Sequence, residues 1–233
     1  MEKKYKTVPE GDMLRIIALK DFIDIKKGDI GGLIEKESNL SQEGNCWIYE
    51  FARVCGDARV SDNAIVSENA KVYEKAQISG LACVWGNAEI YGRAQVYGNS
   101  SVCGSSKISG DAVVEGNAWV GEHADIRGNA RIYGDTKIFE KAWVYENACV
   151  CGATAVFGSA GIKGNVKLWS TTSLYATAPI ATSVIENHKD YLIIVIGREF
   201  RVISLKNKDI NKYIGEDYIN NIQTIRQIYG EKI

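Results

Sequence analysis

Histidine and proline are nearly absent from this chain: 233 residues contain only two of each, while glycine occurs 23 times. Net charge is almost absent as well. The 28 basic and 29 acidic residues leave a formal charge of −1, which excludes the basic stripe of a dedicated nucleic-acid binder. Long apolar runs are missing too. The longest, Tyr191 to Ile196, is far too short to span a bilayer, and the opening MEKKYKTVPEGD has no apolar core and does not read as a signal peptide. No CxxC pair or metal-type spacing links the six cysteines (Cys46, Cys55, Cys83, Cys103, Cys149, Cys151), so no metal is assigned, and they read as reduced thiols in a cytoplasmic protein.

What the chain does have is a period of six. An aliphatic residue recurs at every sixth position, from Ile48, Val54 and Val60 through to Leu168, Leu174 and Ile180, giving 23 consecutive hexads without an insertion. Two residues earlier sits a small side chain, such as Ala52, Ala58, Ala64 or Ala70; two residues later Gly stands in 13 hexads, often followed by Asn. Residues two apart on an extended segment point the same way, so the small and aliphatic positions share one interior. The Gly-Asn pair supplies a corner, because both residues tolerate left-handed backbone. Three strands and three corners close an 18-residue triangular coil. Stacked at the spacing of β-strands, 23 hexads make nearly eight coils and a prism about 37 Å long.

The ladder continues upstream through Gly32-Leu33-Ile34 and Ser38-Asn39-Leu40, with Gly44-Asn45 read as a two-residue insertion before Cys46. Met13 to Phe22 reads as a strand, and Lys26-Lys27-Gly28-Asp29 as a turn. The organisation expected is an N-terminal β cap over 1–31, an all-β parallel β-helix over 32–183, and a small module over 184–233. In that module, strands Tyr191 to Ile196 and Phe200 to Leu205 form a β-hairpin, and a helix beyond Asp209 carries Tyr218, Ile219, Ile222, Ile225 and Ile228 up to Gly230.

Every third hexad lies on one face. The face starting at Ile48 points Trp47, Tyr49, Ile65, Cys83, Trp85, Cys103, Trp119, Phe139, Phe157 and Tyr175 outward, and Lys137 is its one charge. The face starting at Val54 carries Arg53, Lys71, Glu89, Lys107, Asp125, Arg127 and Lys163; the third, starting at Val60, carries Arg59, Glu115, Arg131 and Lys167. An apolar face of this extent is too large to leave in water. Either the terminal modules fold back over it, or it is a subunit interface centred on Ile65, Trp85, Trp119, Phe139 and Phe157.

This hexad pattern resembles the hexapeptide-repeat left-handed β-helix over about three-fifths of the chain. The resemblance implies a left-handed coil and a parallel homotrimer. Most characterised proteins of that kind are acyltransferases using coenzyme A, and a smaller group are zinc carbonic anhydrases. The second activity needs three imidazoles around each metal, and His123 and His188 cannot supply them. The first needs a histidine as general base. His123, beside Glu122 at a corner bordering the apolar face, is the candidate, although a corner slot that elsewhere holds Asn or Asp explains a histidine equally well. Those enzymes usually break the helix with a loop over the acceptor site, and here no hexad is interrupted.

A closer resemblance rests on GDIGGLIEKESNLSQEGNCW opening a run of A-x-V-x-G-N repeats. It is shared with uncharacterised β-helix proteins of enteric bacteria and phages, and the C-terminal module resembles the small domain ending the phage-borne members. That likeness implies a non-catalytic role, such as binding or sequestering a small nucleotide-like ligand without any cofactor; coenzyme A enters only under the acyltransferase reading. Flat coil faces bind small molecules poorly, so a ligand belongs at a groove or a junction. At the C-terminal junction Lys167, Trp169, Tyr175, Arg198 and Arg201 combine aromatic planes with cationic donors suited to a small anionic ligand. The plainer reading is that these aromatics anchor the module. Neither nucleic acid nor a membrane is expected as a partner.

Overall fold

A computed structural model describes residues 2–164 and 167–168 throughout, and further along the chain the backbone of Lys167–Ser170, Ser173–Ala176, Asn187–His188, Tyr191–Ile196, Glu199–Ser204 and Ile210–Ile214. Because the small and aliphatic positions repeat every six residues, each hexad contributes one short rung to a wall. The rungs run from Trp47–Ile48 to Ser173–Ala176, each pairing in parallel with the rung 18 residues on, as Cys83 pairs with Ser101 and Val84 with Val102. The walls are the three that counting by threes predicts, and the fold is the left-handed parallel β-helix. Ile180, the last expected hexad, lies outside the described residues.

The interior is a column of Ala, Val and Ile with no exposure to solvent. Where serine or threonine takes the alanine slot, the hydroxyl donates to the carbonyl three residues back: Ser100 to Tyr97 O (2.8 Å), Ser106 to Cys103 O (2.8 Å), Thr136 to Tyr133 O (2.7 Å) and Thr154 to Cys151 O (2.7 Å). Among the described residues no buried hydroxyl in these slots is left wanting a partner, so the column accepts polar atoms at little cost.

The corners differ from expectation in one respect. Only their first residue is left-handed. Gly98 (φ 73°) and Gly116 (φ 72°) are, as are several acidic residues in the same slot, including Asp62 (58°), Glu74 (59°) and Glu122 (56°). The Asn that follows is not, so its preference for that region is not what builds the bend. An acidic residue is tolerated because its carboxylate can take the amide one coil on. Asp62 accepts from Gly80 N–H (3.0 Å) and Glu74 from Gly92 N–H (2.9 Å), offsetting the cost of placing a Cβ in that region. A β-branched side chain has neither remedy. A Cβ on Gly98 would stand 2.9 Å from Gly116 N, so Gly98→Val is expected to lose about 2 kcal/mol in urea unfolding at fixed m-value.

The cap is larger than sequence alone suggests. Strand β1 (Tyr5–Glu10) forms a hairpin with β2 (Met13–Ala18) through Gly11 at φ 65°, and β2 pairs antiparallel with β3 (Ile30–Ile34). The second strand thus stops at Ala18 rather than Phe22, where the chain bends into the Phe22–Ile25 bridge. The turn at Lys26 to Asp29 is present, with Asp29 N–H on Lys26 O at 2.9 Å. β3 then pairs in parallel with Arg53–Val54, which joins the cap to the Val54 wall as one continuous sheet.

The insertion lies at Gln42-Glu43, not at Gly44-Asn45. Ser41 N–H reaches Val60 O, whereas Asn45 N–H already reaches Asp62 O, so the two additional residues fall between them. Gly44, with φ 64°, is an ordinary corner. The bulge has a job at the cap: Gln42 Oε1 accepts from Lys4 N–H (2.8 Å) and Gln42 Nε2 donates to Tyr5 O (3.3 Å), which splices β1 onto the first coil. Lys4 itself is buried, with 1% of its surface exposed. Its Nζ donates to Cys46 O (2.9 Å), Glu43 O (3.3 Å) and Gly44 O (3.3 Å), and lies 3.2 Å from Cys46 Sγ.

Towards the C-terminus, Tyr191–Ile196 and Glu199–Ser204 form the expected antiparallel hairpin. Ile210–Ile214 adds a third strand, pairing Ile210 with Ile203 and Ile214 with Glu199, where a helix was expected from Asp209 onward. Pairing gives the second hairpin strand a partner on its open edge, a stronger demand than local helix propensity over five residues. The expected helical positions Tyr218 to Ile228, and Gly230, lie outside the described residues. Among the described residues the helical element is the short 3-10 turn Glu37–Asn39.

Candidate functional site

The Ile48 face is as apolar in three dimensions as in sequence, but its first coil is covered. Trp47 is buried under the cap, meeting Tyr5 and Phe22 edge-on at 6.3 and 5.4 Å, and the Tyr49 hydroxyl donates to Asp24 at 2.8 Å. Beyond that coil, Ile65, Trp85, Trp119, Phe139 and Phe157 are all partly exposed. The rings form a ladder: Trp119 tilts onto Phe139 (5.8 Å), and Phe139 stacks on Phe157 (5.0 Å, 4° between planes). Gly121 makes this possible, since a Cβ there would meet the Trp119 ring at 2.6 Å; without one the indole lies flat on the wall. The thiols of Cys83 and Cys103 on this face are pushed up by burial, so they are poor nucleophiles.

The other walls are polar in a patterned way. On the Val54 wall Glu89 pairs with both Lys71 and Lys107 at 3.5 Å, Tyr73 stacks on Tyr91 (5.0 Å), and the Arg127 guanidinium sits 5.3 Å from the Tyr145 ring centre. On the Val60 wall Tyr133 shares hydrogen bonds with the thiols of Cys149 and Cys151. Those bonds hold its hydroxyl well above the usual phenol range, while burial pushes the Cys151 thiol up. The two thiols remain unbridged. Two shallow depressions also lie along this wall, one lined by Lys75, Gln77, Arg93, Gln95 and Asp111, the other by Ser38, Leu40, Ser41, Gln42, Arg59 and Gln77. Sequence reasoning missed both. The recurring Gln at 77 and 95 was the available signal, but a polar outward residue on a repeat gives no hint of concavity.

His123 stands where its hexad slot puts it, exposed at the corner between the Ile48 and Val54 walls, with its backbone N–H on Glu140 O at 2.8 Å. Among the described residues no side-chain hydrogen bond reaches its imidazole, so none of them orients the ring as a base. No three of His, Cys, Asp and Glu converge on a metal position there either. His188 lies in the Asn187–His188 strand, far along the chain from that corner.

The C-terminal candidate is not assembled on one wall. Lys167 and Trp169 stack in register on Cys149 and Cys151 of the Val60 wall, whereas Tyr175 follows Phe157 on the Ile48 wall. Lys167 is exposed. The side chains of Trp169, Tyr175 and Arg201, and the whole of Arg198, lie outside the described residues. No helix among the described residues is long and apolar enough to cross a membrane.

Comparison with known proteins points the same way as the coils. Residues 52–74 and 106–122 match the family model described as the YdcK beta solenoid repeat. A stretch of 36 residues is 56% identical to "Uncharacterized acetyltransferase YdcK" of Escherichia coli (strain K12), spanning 16% of this chain and 11% of that protein. By its repeat and its three parallel walls, this chain is a hexapeptide-repeat-like parallel β-helix, similar over residues 52–74 and 106–122 to the YdcK beta solenoid repeat.

Proposed function

We propose that this protein is a non-catalytic β-helix that assembles through its Ile48 face as a parallel trimer and binds a small anionic ligand in the concavities so created. One observation carries the reading: the partly exposed aromatic side chains Trp85, Trp119, Phe139 and Phe157 on a single wall, beside a Val54 wall laced with ion pairs. A flat wall holds no small molecule by itself; three such walls brought together produce grooves along their edges. The six unpaired thiols suit a reducing compartment. Native mass spectrometry of protein taken directly from cells is expected to give a trimer carrying a small molecule lost on denaturation. A monomer with nothing bound would overturn the proposal.

The acyltransferase reading draws on the name of the Escherichia coli relative and on His123 bordering the Ile48 wall, where a neighbouring subunit's edge would lie. Against it stands the unbroken run of rungs, which leaves no loop over an acceptor, and the unoriented imidazole. Calorimetry with coenzyme A is expected to show no binding, and His123→Ala is expected to retain the small molecule. Micromolar coenzyme A affinity, lost on changing residues beside His123, would favour the enzyme instead.

A further inference from the structure

We infer that Lys4 and Cys46 form an oxidant-driven covalent cross-link, an Nζ–Sγ bond that staples the N-terminal cap to the first coil. The argument is geometric. Lys4 Nζ lies 3.2 Å from Cys46 Sγ, and both residues are buried, Lys4 at 1% exposure and Cys46 at 0%. Lysine is almost never buried unpaired, and among the described residues no carboxylate neutralises this one: its hydrogen-bond partners are the carbonyls of Glu43, Gly44 and Cys46 and the Cys46 Sγ itself, with the Phe22 ring 5.6 Å away. Burial lowers the Lys4 amine and raises the Cys46 thiol, which eases release of an ammonium proton. An amine held against sulfur at this distance is the arrangement such a bond requires.

The chemistry needs a hydroperoxide as oxidant and then balances. Once Lys4 has released one ammonium proton to solvent, Nζ takes the thiol proton as Sγ attacks the terminal peroxide oxygen; the O–O bond breaks, and the departing alkoxide recovers that proton as an alcohol. Cys46 is now a sulfenic acid, the first rung of thiol oxidation and one that condenses with nitrogen. Nζ, again a free amine, attacks Sγ; the S–O bond breaks and hydroxide leaves with an amine proton as water. Sulfur is oxidised by two electrons and the peroxide reduced by two. A thiol reductant reverses the bond. The two partners sit 42 residues apart, on opposite sides of the cap's junction with the coil. Lys4 immediately precedes β1, the outermost strand of its sheet, so β1 lifting from the bulge admits peroxide, and the new bond then holds β1 down.

The experiment uses the full chain, treated with millimolar tert-butyl hydroperoxide and digested without reductant. The expected product is a peptide pair joining Lys4 to Cys46, about 2 Da lighter than the sum of its parts, abolished by dithiothreitol and absent from Cys46→Ala. The thermal midpoint of the oxidised wild type should rise by about 5 °C and fall back on reduction, with no such rise in Cys46→Ala. Met13 in β2 reports that oxidant has reached the cap. Met13 sulfoxide appearing while Cys46 stays a free thiol, or goes on to sulfinic acid without a link to Lys4, would overturn the inference. So would a link that forms equally in urea-unfolded chain, since the native geometry would then contribute nothing.

Discussion

Lys4→Ala should cost about 3 kcal/mol and should loosen the cap before it loosens the coils. Lys4 Nζ supplies protons to three carbonyls in and just after the bulge where two additional residues break the coil's own ladder. Alanine leaves these acceptors without their lysine donor and removes the stem that fills the space against Phe22 and Cys46. The two losses can be separated. Lys4→Met keeps the stem and drops only the donor, so it should lose about 1–2 kcal/mol, less than alanine. Trp47 is a local probe, because its ring is enclosed by Tyr5 and Phe22. Its emission in urea should shift at lower denaturant than far-ultraviolet circular dichroism in the alanine variant, with the two transitions coinciding in the wild type. A Lys4→Ala protein within about 0.5 kcal/mol of wild type would mean that these contacts are no more than a surface decoration.

No pattern in the sequence announced that lysine. A buried lysine is recognised by what surrounds it, and here the surroundings come from a bulge 40 residues downstream. The same gap explains the misplaced insertion. Counting hexads shows that two residues are surplus between Leu40 and Cys46, but only the pairing of Ser41 with Val60 and of Asn45 with Asp62 decides which two. Strand β1 is not among the strands read from the sequence; it carries Pro9, and as the outermost strand of its sheet it tolerates a residue that cannot donate.

The coils were legible for the opposite reason. Each hexad meets the same environment as the one before, so the Ala and Val slots, the glycine corners and the division into three walls are each stated many times over. Even so, period alone did not show which corner residue is left-handed. Glycine and asparagine both permit it, and the choice depends on the carbonyl and amide of the next coil. The candidate site was legible as a surface and not as a site. The aromatic wall follows from counting by threes, whereas the isolation of His123 and the depressions beside Gln77 depend on side-chain reach.

Trp119→Lys should convert the assembly to monomers without unfolding them. The wall accepts a lysine at this depth: Lys137 occupies the slot directly paired with Trp119, one coil on, and is exposed there. Within one subunit the substitution removes a half-exposed ring and its tilted contact with Phe139, a loss of about 1 kcal/mol. At the centre of the proposed trimer interface the same change would place an unpaired ammonium against apolar rings three times around the axis. An unpaired buried charge, added to the loss of an aromatic anchor, is worth several kcal/mol, so the dissociation constant should rise by about three orders of magnitude. Sedimentation velocity should therefore give a trimer for the wild type and a monomer for the variant at micromolar concentration, with unchanged circular dichroism. Glu89→Lys on the Val54 wall breaks two ion pairs and adds like charge beside Lys71 and Lys107, yet it should leave the trimer intact, because that wall faces water. If Glu89→Lys dissociates the assembly while Trp119→Lys does not, the contact runs through the charged wall, and the aromatic ladder is there only to stack the coils.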